Sequence, residues 1–475
     1  MHVTTGLTLI VVGTLLLLAI VLPPILTTEL RGNSTPLPPR LAFEDNSALE
    51  HEWQIHACGC NNSWTFGNDE RNISNAKFTQ ETLVVDPRGL SSMAAFFGQV
   101  IDHDIVLSGS NASDGTFQIP MTPQDEVILS LTRSTHRLGD NGCREAANRI
   151  TPVLDGSFVY GDEALLPQLR NGTTCYMQTS DGNLLPLSTT HPREFLAGDE
   201  RNTEHSVLAS MHTLFVREHN RLCTVLEAEQ PSWSGDELFW KVRQIVVAKF
   251  QHIAYSEWIP AIFGSQAHLL QDVPLTTSGL RMKMEFSVLA FRFGHSMIPD
   301  TIGNFTLPVL FFNRTLLIEH GVEPFLSGAY SMPANRVDNQ VIDGLRNFLF
   351  AAGPVTMGED LVARNLFRAR ELGMGTYAQI AYCYGVDTQN DETEAFIGLL
   401  SEPLVEGSSL PRTIAHIVAE QFKRMRLYDP RFYDTPQNRA LIGGRFLPEV
   451  YSTTLASIIR ANTELTNVPD NVFFV

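Results

Sequence analysis

The stretch that most limits how this chain can fold is Phe97-Gly98-Gln99-Val100-Ile101-Asp102-His103-Asp104. Pro87-Arg88-Gly89 and Ser91 punctuate and cap the chain ahead of it, and the apolar run Met93 to Phe97 leads into it. It therefore reads as the later turns of a helix. On a helix Gln99 and His103 fall four apart on one face, and Asp102, three on from Gln99, lies near the same arc. Asp104 points elsewhere. One turn thus offers an amide, a carboxylate and an imidazole to one pocket, and a second carboxylate to a neighbouring site. Taken alone, the same residues also read as a polar helix end with a solvated histidine.

The pattern around this stretch is helical almost throughout. Val207, Met211, Leu214, Phe215, Leu222 and Leu226 keep helical spacing, which predicts a helix over Glu204–Glu229. Further helices are expected at Asp236–Ile259, Phe286–Phe293, Asn339–Phe350, Asp360–Glu371, Asp391–Leu400, Leu410–Met425, Thr435–Gly443 and Glu449–Ala461. Strand-like alternation is rare and short. No repeat, low-complexity tract or long charge run interrupts the chain after residue 45. A mostly α fold with few short strands, built as a single large domain over 45–475, is the expectation.

The net charge of -18 argues against nucleic acid as a partner, because neutralising phosphates takes Lys and Arg. Gly6–Leu22 is uncharged and almost wholly apolar and is closed by Pro23-Pro24, so residues 1–27 read as a signal peptide or a signal anchor. Either would send the rest of the chain to the lumen or outside the cell, as a secreted or membrane-anchored protein. Residues 28–44, with Pro36, Pro38 and Pro39, read as a linker or entry arm. Sequons at Asn33, Asn61, Asn72, Asn111, Asn171, Asn304 and Asn313 favour the same secretory route and a glycoprotein. The six cysteines include no Cys-x-x-Cys pair, so structural zinc is not expected.

Four more constellations carry chemistry. In Thr151-Pro152-Val153-Leu154-Asp155-Gly156-Ser157, oxygen-bearing residues alternate through a short loop that can wrap a hard cation. Thr151, Asp155 and Ser157 would supply side-chain oxygens and Val153 a carbonyl, with Asp104 completing the shell from the helix. The spacing is not that of an EF-hand, and Asp-Gly-Ser is also a common turn. In Ala197-Gly198-Asp199-Glu200-Arg201-Asn202-Thr203-Glu204, Arg201 and Glu204 lie three apart and face one cavity, or else Glu204 caps the helix with Arg201 as its ion-pair partner. His295, in Phe291-Arg292-Phe293-Gly294-His295, is a core histidine or a metal ligand. Asn365 and Arg368 share a face of their helix.

Together these stretches, in this order, resemble the animal haem peroxidases. The resemblance also takes in Phe158-Val159-Tyr160-Gly161, Met211–Asn220, Arg364-Asn365-x-x-Arg368 and Ser401-Glu402-Pro403, and it spans roughly residues 45–475. It implies an oxidoreductase that holds haem b and calcium, reduces hydrogen peroxide and oxidises a small donor such as bromide, iodide, thiocyanate or a phenol. Carried over by position, His103 is the distal base with Arg201 beside it, and Gln99 helps bind halide and order distal water. His295 is the iron ligand and Asn365 its hydrogen-bond partner. Arg292 and Arg368 lie around the haem propionates, and Asp102 and Glu204 esterify haem methyls. Asp104, Thr151, Val153, Asp155 and Ser157 form the calcium shell.

The chain departs from the family pattern in places. His205 stands where myeloperoxidase has the methionine of its sulfonium link, which points away from strong chloride oxidation. Cys383 lacks its usual partner, and the resemblance offers Cys143 with Cys175 as a disulfide. The region around Cys58-Gly59-Cys60-Asn61 departs most. A cyclooxygenase-like lipid dioxygenase is the rival reading, but that chemistry resembles a tyrosyl radical three residues before the proximal histidine, where this chain has Arg292. A haem-binding adhesive protein without turnover is opposed by Gln99, His103, Arg201, His295 and Asn365 occurring together. His51-Glu52-Trp53-Gln54-Ile55-His56 spaces its histidines five apart, one too many for a zinc protease helix.

Overall fold

The computed structural model describes residues 52–121, 127–351, 357–388 and 391–475, which belong to one compact unit. The apolar stretch 6–22, the arm 28–44 and the sequon at Asn33 lie outside them. Among the described residues no helix is long and apolar enough to cross a membrane. The architecture is mostly α, with three small two-stranded antiparallel ladders among the described residues, and five helices position the site. They are α1 (Ser92–Ile105), α2 (Ser206–Glu229), α3 (Gly235–Ile253), α4 (Leu361–Glu371) and α5 (Arg412–Tyr428).

Helix α1 is apolar around most of its circumference, with Met93, Phe96, Phe97, Val100, Ile101 and Ile105 all buried, so it runs through the interior. Phe97 packs between Phe250 and Phe473, at ring distances of 5.7 and 5.5 Å. Each such ring is worth about 1.5–3 kcal/mol on leaving water. Ser91 is the N-cap by position, but its hydroxyl caps nothing. It donates instead to the Val472 carbonyl at 2.5 Å, stitching the helix start to a distant segment.

Helix α2 starts later than expected. Its N-cap is His205, whose Nδ1 accepts from the Leu208 amide at 3.2 Å, and Glu204 stays outside the helix. Ser234 and Glu237 form a capping box on α3. The single helix expected over Asp236–Ile259 widens after Ile253 into a π turn, Ala254–Trp258, before resuming at Ile259. Trp258 ends that turn with its indole against Gly98 of α1, where a Cβ would meet Cζ2 at 3.1 Å. Its Nε1 donates to the Ala94 carbonyl at 2.7 Å.

The helix expected at Phe286–Phe293 is a π turn (Glu285–Leu289) running into a 3₁₀ segment (Ala290–His295). Leu289, at φ −118° and ψ −78°, departs from ideal helical values where the π turn passes into the 3₁₀ segment. Asn339–Phe350 shrinks to one turn, Asp343–Arg346, and the Arg346 carbonyl accepts from Arg71 at 2.9 Å, while Phe350 at the far end has a non-helical φ of 57°. Glu449–Ala461 divides at Thr453-Thr454, where Thr454 caps a second helix. The other expected helices are present with ends shifted by a few residues.

Strands β1 (Thr116–Pro120) and β2 (Ile128–Thr132) pair with Thr116 opposite Thr132. Their inward residues Ile119, Leu129 and Leu131 form a small second core with Ala363 and Phe367 of α4. Disulfides join Cys58–Cys383, Cys60–Cys143 and Cys175–Cys223. The expected Cys143–Cys175 bond is therefore wrong, and Cys383 does have a partner. Helix α1 packs against both α2 and the 290–295 segment, α5 packs on that same segment, and α4 packs on the π turn before it.

Candidate functional site

One cavity of about 390 Å³ opens where these elements meet. Helix α1 contributes Gln99, Asp102 and His103, and the loop before α2 contributes Arg201, Glu204 and His205. The 3₁₀ segment supplies Arg292 and His295, and α4 supplies Arg364, Asn365 and Arg368. Phe96, Phe291, Phe293, Phe311, Leu349 and Phe350 are among its apolar walls. The residues that the resemblance assigns to one haem site thus border one space.

His103 is 2 % exposed and carries its Nδ1 3.3 Å from Asp199 Oδ1, near enough to feel its charge but not aligned as a hydrogen bond. Burial, then the Arg201 guanidinium, holds its pKa well below the usual imidazole value, so the ring is a neutral base. Arg201 is clamped by Asp199, which accepts from Nε at 2.9 Å, from Nη2 at 2.8 Å and from the Arg201 backbone amide at 2.8 Å. Nη2 also donates to the Val106 carbonyl at 2.9 Å, and Nη1 to Asp102 at 3.3 Å. Burial alone would push Asp199 up, but the charge and hydrogen bonds of Arg201 outweigh it and keep the carboxylate ionised. Asp199 has no role among the expectations drawn from the sequence. Its signal was the Asp-x-Arg spacing, which lets a side chain grip both the backbone and the guanidinium two residues on.

Glu204 does not cap α2, and its oxygen accepts from Gln99 Nε2 at 3.0 Å. Gln99 Oε1 lies 2.7 Å from His205 Nε2. Because His205 Nδ1 accepts from a backbone amide, Nε2 carries the proton, and a directed chain runs His205 to Gln99 to Glu204. Burial, partly offset by Arg201, raises Glu204 to about 7 and also raises Asp102.

Across the cavity, Asn365 is fully buried with its amide nitrogen 2.9 Å from His295 Nδ1. Burial, then Arg292, lowers His295 to about 3, so this ring is also neutral. The polarity of the contact is opposite to expectation: Arg292 donates to the Asn365 oxygen, which turns the amide N–H toward the ring. The two ends of a side-chain amide are nearly isosteric. The reversed amide would accept from Nδ1–H and leave Nε2 bare for a metal. Arg368 borders the cavity but is anchored to Ser134 Oγ at 2.6 Å and to Glu371.

The oxygen-rich loop lies under the far side of α1. Asp104 is fully buried and accepts from the amides of Gly156 (3.1 Å) and Phe158 (3.0 Å) and from Ser157 Oγ (3.0 Å). Thr151 Oγ1 donates to Asp155 at 2.7 Å. Burial and the nearby Asp155 push Asp104 well above the usual carboxylate range. Two carboxylates facing each other in the interior, with hydroxyls and the buried Val153 alongside, form a donor set of hard oxygens. Cys175, His219 and Cys223 also cluster, but the two sulfurs are joined as a disulfide and are not metal ligands.

The family model described as animal haem peroxidase matches residues 62–392 and 380–473. Peroxinectin A of Dictyostelium discoideum is 28% identical, with 85% of this chain and 87% of that protein aligned. Human eosinophil peroxidase is 30% identical over 85% of this chain and 68% of its own length. The human peroxidasin homolog is 29% identical, but only 34% of it is spanned. Among solved structures, peroxidase A from Dictyostelium discoideum superposes with a TM-score of 0.77 at 25% identity, over 89% of this chain and 95% of that one. A fatty acid alpha-dioxygenase from Oryza sativa has a TM-score of 0.71 at 17% identity over 86% of this chain and 80% of that one, a likeness of fold alone.

Proposed function

Because the chain belongs to the animal haem peroxidase family, we propose that His295 would hold the iron of a haem in the cavity, while His103 and Arg201, which line the same cavity, act on hydrogen peroxide. The observation that carries this reading is that two neutral imidazoles from distant parts of the chain border one cavity, each beside its expected partner. The walls suit the group: aromatic and aliphatic side chains for a flat macrocycle, and Arg292, Arg364 and Arg368 for its carboxylates. A bound haem supplies the electrons that break the peroxide bond and then draws replacements from the donor.

The residues do the rest. His103 takes the proton from one peroxide oxygen and returns it to the other, a role worth typically ~10²–10⁴-fold. Arg201, fixed by Asp199, opposes negative charge building on the departing oxygen, and losing such an aimed donor costs about 10²–10³-fold. Asn365 sets the ring plane of His295. Asp102 and Glu204, both with pKa values raised by burial, are the groups for ester links to haem, with Gln99 holding Glu204 in place. Asp104, Thr151, Val153, Asp155 and Ser157 would bind calcium and brace α1. His205 leaves no thioether beside the cavity, so bromide, iodide, thiocyanate and phenols are the expected donors rather than chloride. Exposed sequon asparagines at 72, 111, 171 and 304, with three disulfides, support a glycosylated protein of the secretory route. Residues 6–22 would serve there as a cleaved signal or as an anchor.

Steady-state turnover of chloride, bromide, iodide, thiocyanate and tyrosine by haem-replete protein tests the donor assignment. His103→Ala should slow the reaction with peroxide by ~10²–10⁴-fold while Soret absorbance per chain is kept. Equal loss of both would remove His103 from this role.

A further inference from the structure

A continuous file of aromatic rings leads from the cavity to the surface. Trp258 lines the cavity and lies 5.7 Å, ring centre to ring centre, from Phe422. Phe422 is 5.8 Å from Tyr255, which is 5.1 Å from Phe432. Phe432 is 5.0 Å from Tyr433, and Tyr433 is 6.0 Å from Tyr451. Tyr451 is 42 % exposed, whereas Trp258, Phe422, Phe432 and Tyr433 are buried. The four oxidisable rings are never separated by more than one phenylalanine. Electron tunnelling decays exponentially with distance, so a few short hops outpace one long one.

The hydrogen bonds give the file a direction. The Tyr255 hydroxyl donates to the Phe422 carbonyl, a poor base, so an electron hole does not settle there. Tyr433 Oη lies 2.9 Å from His252 Nδ1, and the Tyr451 hydroxyl donates to Asp434 Oδ1 at 2.6 Å. A phenol loses an electron far more readily when a base takes its proton, and only the outer two tyrosines have one. The cavity itself, at about 390 Å³, is largely filled once a haem lies in it, so bulky donors stay outside.

We propose that Tyr451 is a second, surface oxidation site for phenolic groups on donors too large to enter the cavity, joined to it through Tyr433, Tyr255 and Trp258. It rests on the haem peroxidase reading, which supplies the oxidant. Tyr451 gives one electron inward along the file and its phenolic proton to Asp434, leaving a neutral tyrosyl radical. The radical takes a hydrogen atom from the donor phenol, which restores tyrosine and releases a phenoxyl radical, and Asp434 passes its proton to water. Two such turns supply the two electrons that one hydrogen peroxide needs. The two protons released at the surface balance the two consumed as the peroxide becomes two waters.

The test compares haem-replete wild type, Tyr451→Phe and Tyr433→Phe with peroxide and two donors, iodide and tyramine coupled to dextran. Nitroso spin-trapping followed by peptide mass spectrometry, without donor, locates the radical. Wild type is expected to oxidise both donors and to carry the adduct on Tyr451. Both variants should keep iodide turnover and the Soret band but lose oxidation of dextran-bound tyramine, and Tyr451→Phe should lose the adduct at that position. Unchanged dextran-tyramine turnover in Tyr451→Phe, no turnover of it by wild type, adducts only elsewhere, or joint loss of both donors would each overturn the proposal. Wild type inactive even on iodide would instead strike at the peroxidase reading beneath it.

Discussion

Asp199 shows how one side chain can govern a charge it does not carry. Its carboxylate fixes Arg201 by three hydrogen bonds and stands 3.3 Å from His103. Asp199→Asn keeps the shape but removes the charge, leaving a buried guanidinium short of its partner. We expect the rate with peroxide to fall by about 10²–10³-fold, as for loss of one aimed donor, with KM for iodide little changed; stopped-flow kinetics would show it. The pH profile follows from the sign of the His103 shift. A base must be unprotonated to act, and burial followed by Arg201 lowers its pKa well below 6.5. The rate constant for peroxide should therefore stay flat as pH falls through 6.5 and decline only at lower pH. Gln99, Asp102 and His103 were legible because helical periodicity alone puts them on one arc. Asp199 was not, since its importance depends on where its neighbour's guanidinium goes.

At the scale of elements, α1 joins two sites through adjacent residues. His103 faces the cavity while Asp104 faces the oxygen-rich loop, so calcium at that loop would hold the helix that carries His103. Chelation by EDTA should lower Tm and slow the peroxide reaction together, and calcium should restore both. Removing the ion also exposes the repulsion between Asp104 and Asp155. The folded-state pKa of Asp104 is raised, so the ion-free fold binds more protons than the unfolded chain above 3.8 and loses stability as pH rises from there. Thermal melts with EDTA should show a lower Tm at neutral than at mildly acid pH, and added calcium should remove that slope. The long helices were readable from periodicity, but the segment bearing His295 was not. Its π and 3₁₀ turns satisfy the packing of α4 and α5 upon it rather than any repeat in its own residues. The start of α2 was misplaced for a related reason. Glu204 looks like a cap in sequence, but Gln99 engages it from another helix.

For the whole molecule, the disulfides were the least legible feature. Cys58 and Cys383 are 325 residues apart, and no local pattern announces such a bond. It ties the segment before α1 to the chain beyond α4, and Cys60–Cys143 anchors the same segment beside β3 (Arg144–Ala146). Replacing Cys58 and Cys383 together by serine should cost about 2–5 kcal/mol of stability, seen as a lower Tm, while leaving haem content unchanged at low temperature. Ester links from two elements would make the haem itself a cross-brace: acid acetone should fail to extract it from wild type and release it from the Asp102→Asn, Glu204→Gln pair. One consequence of α1 reaches beyond substitution. Inserting or deleting a single amino acid between Ser92 and Gln99 would rotate everything after it by about 100°. The imidazole and the carboxylate would then turn away from their sites at the same time. Lineages descended from this gene can vary the letters of that helix, but they are not free to vary its length.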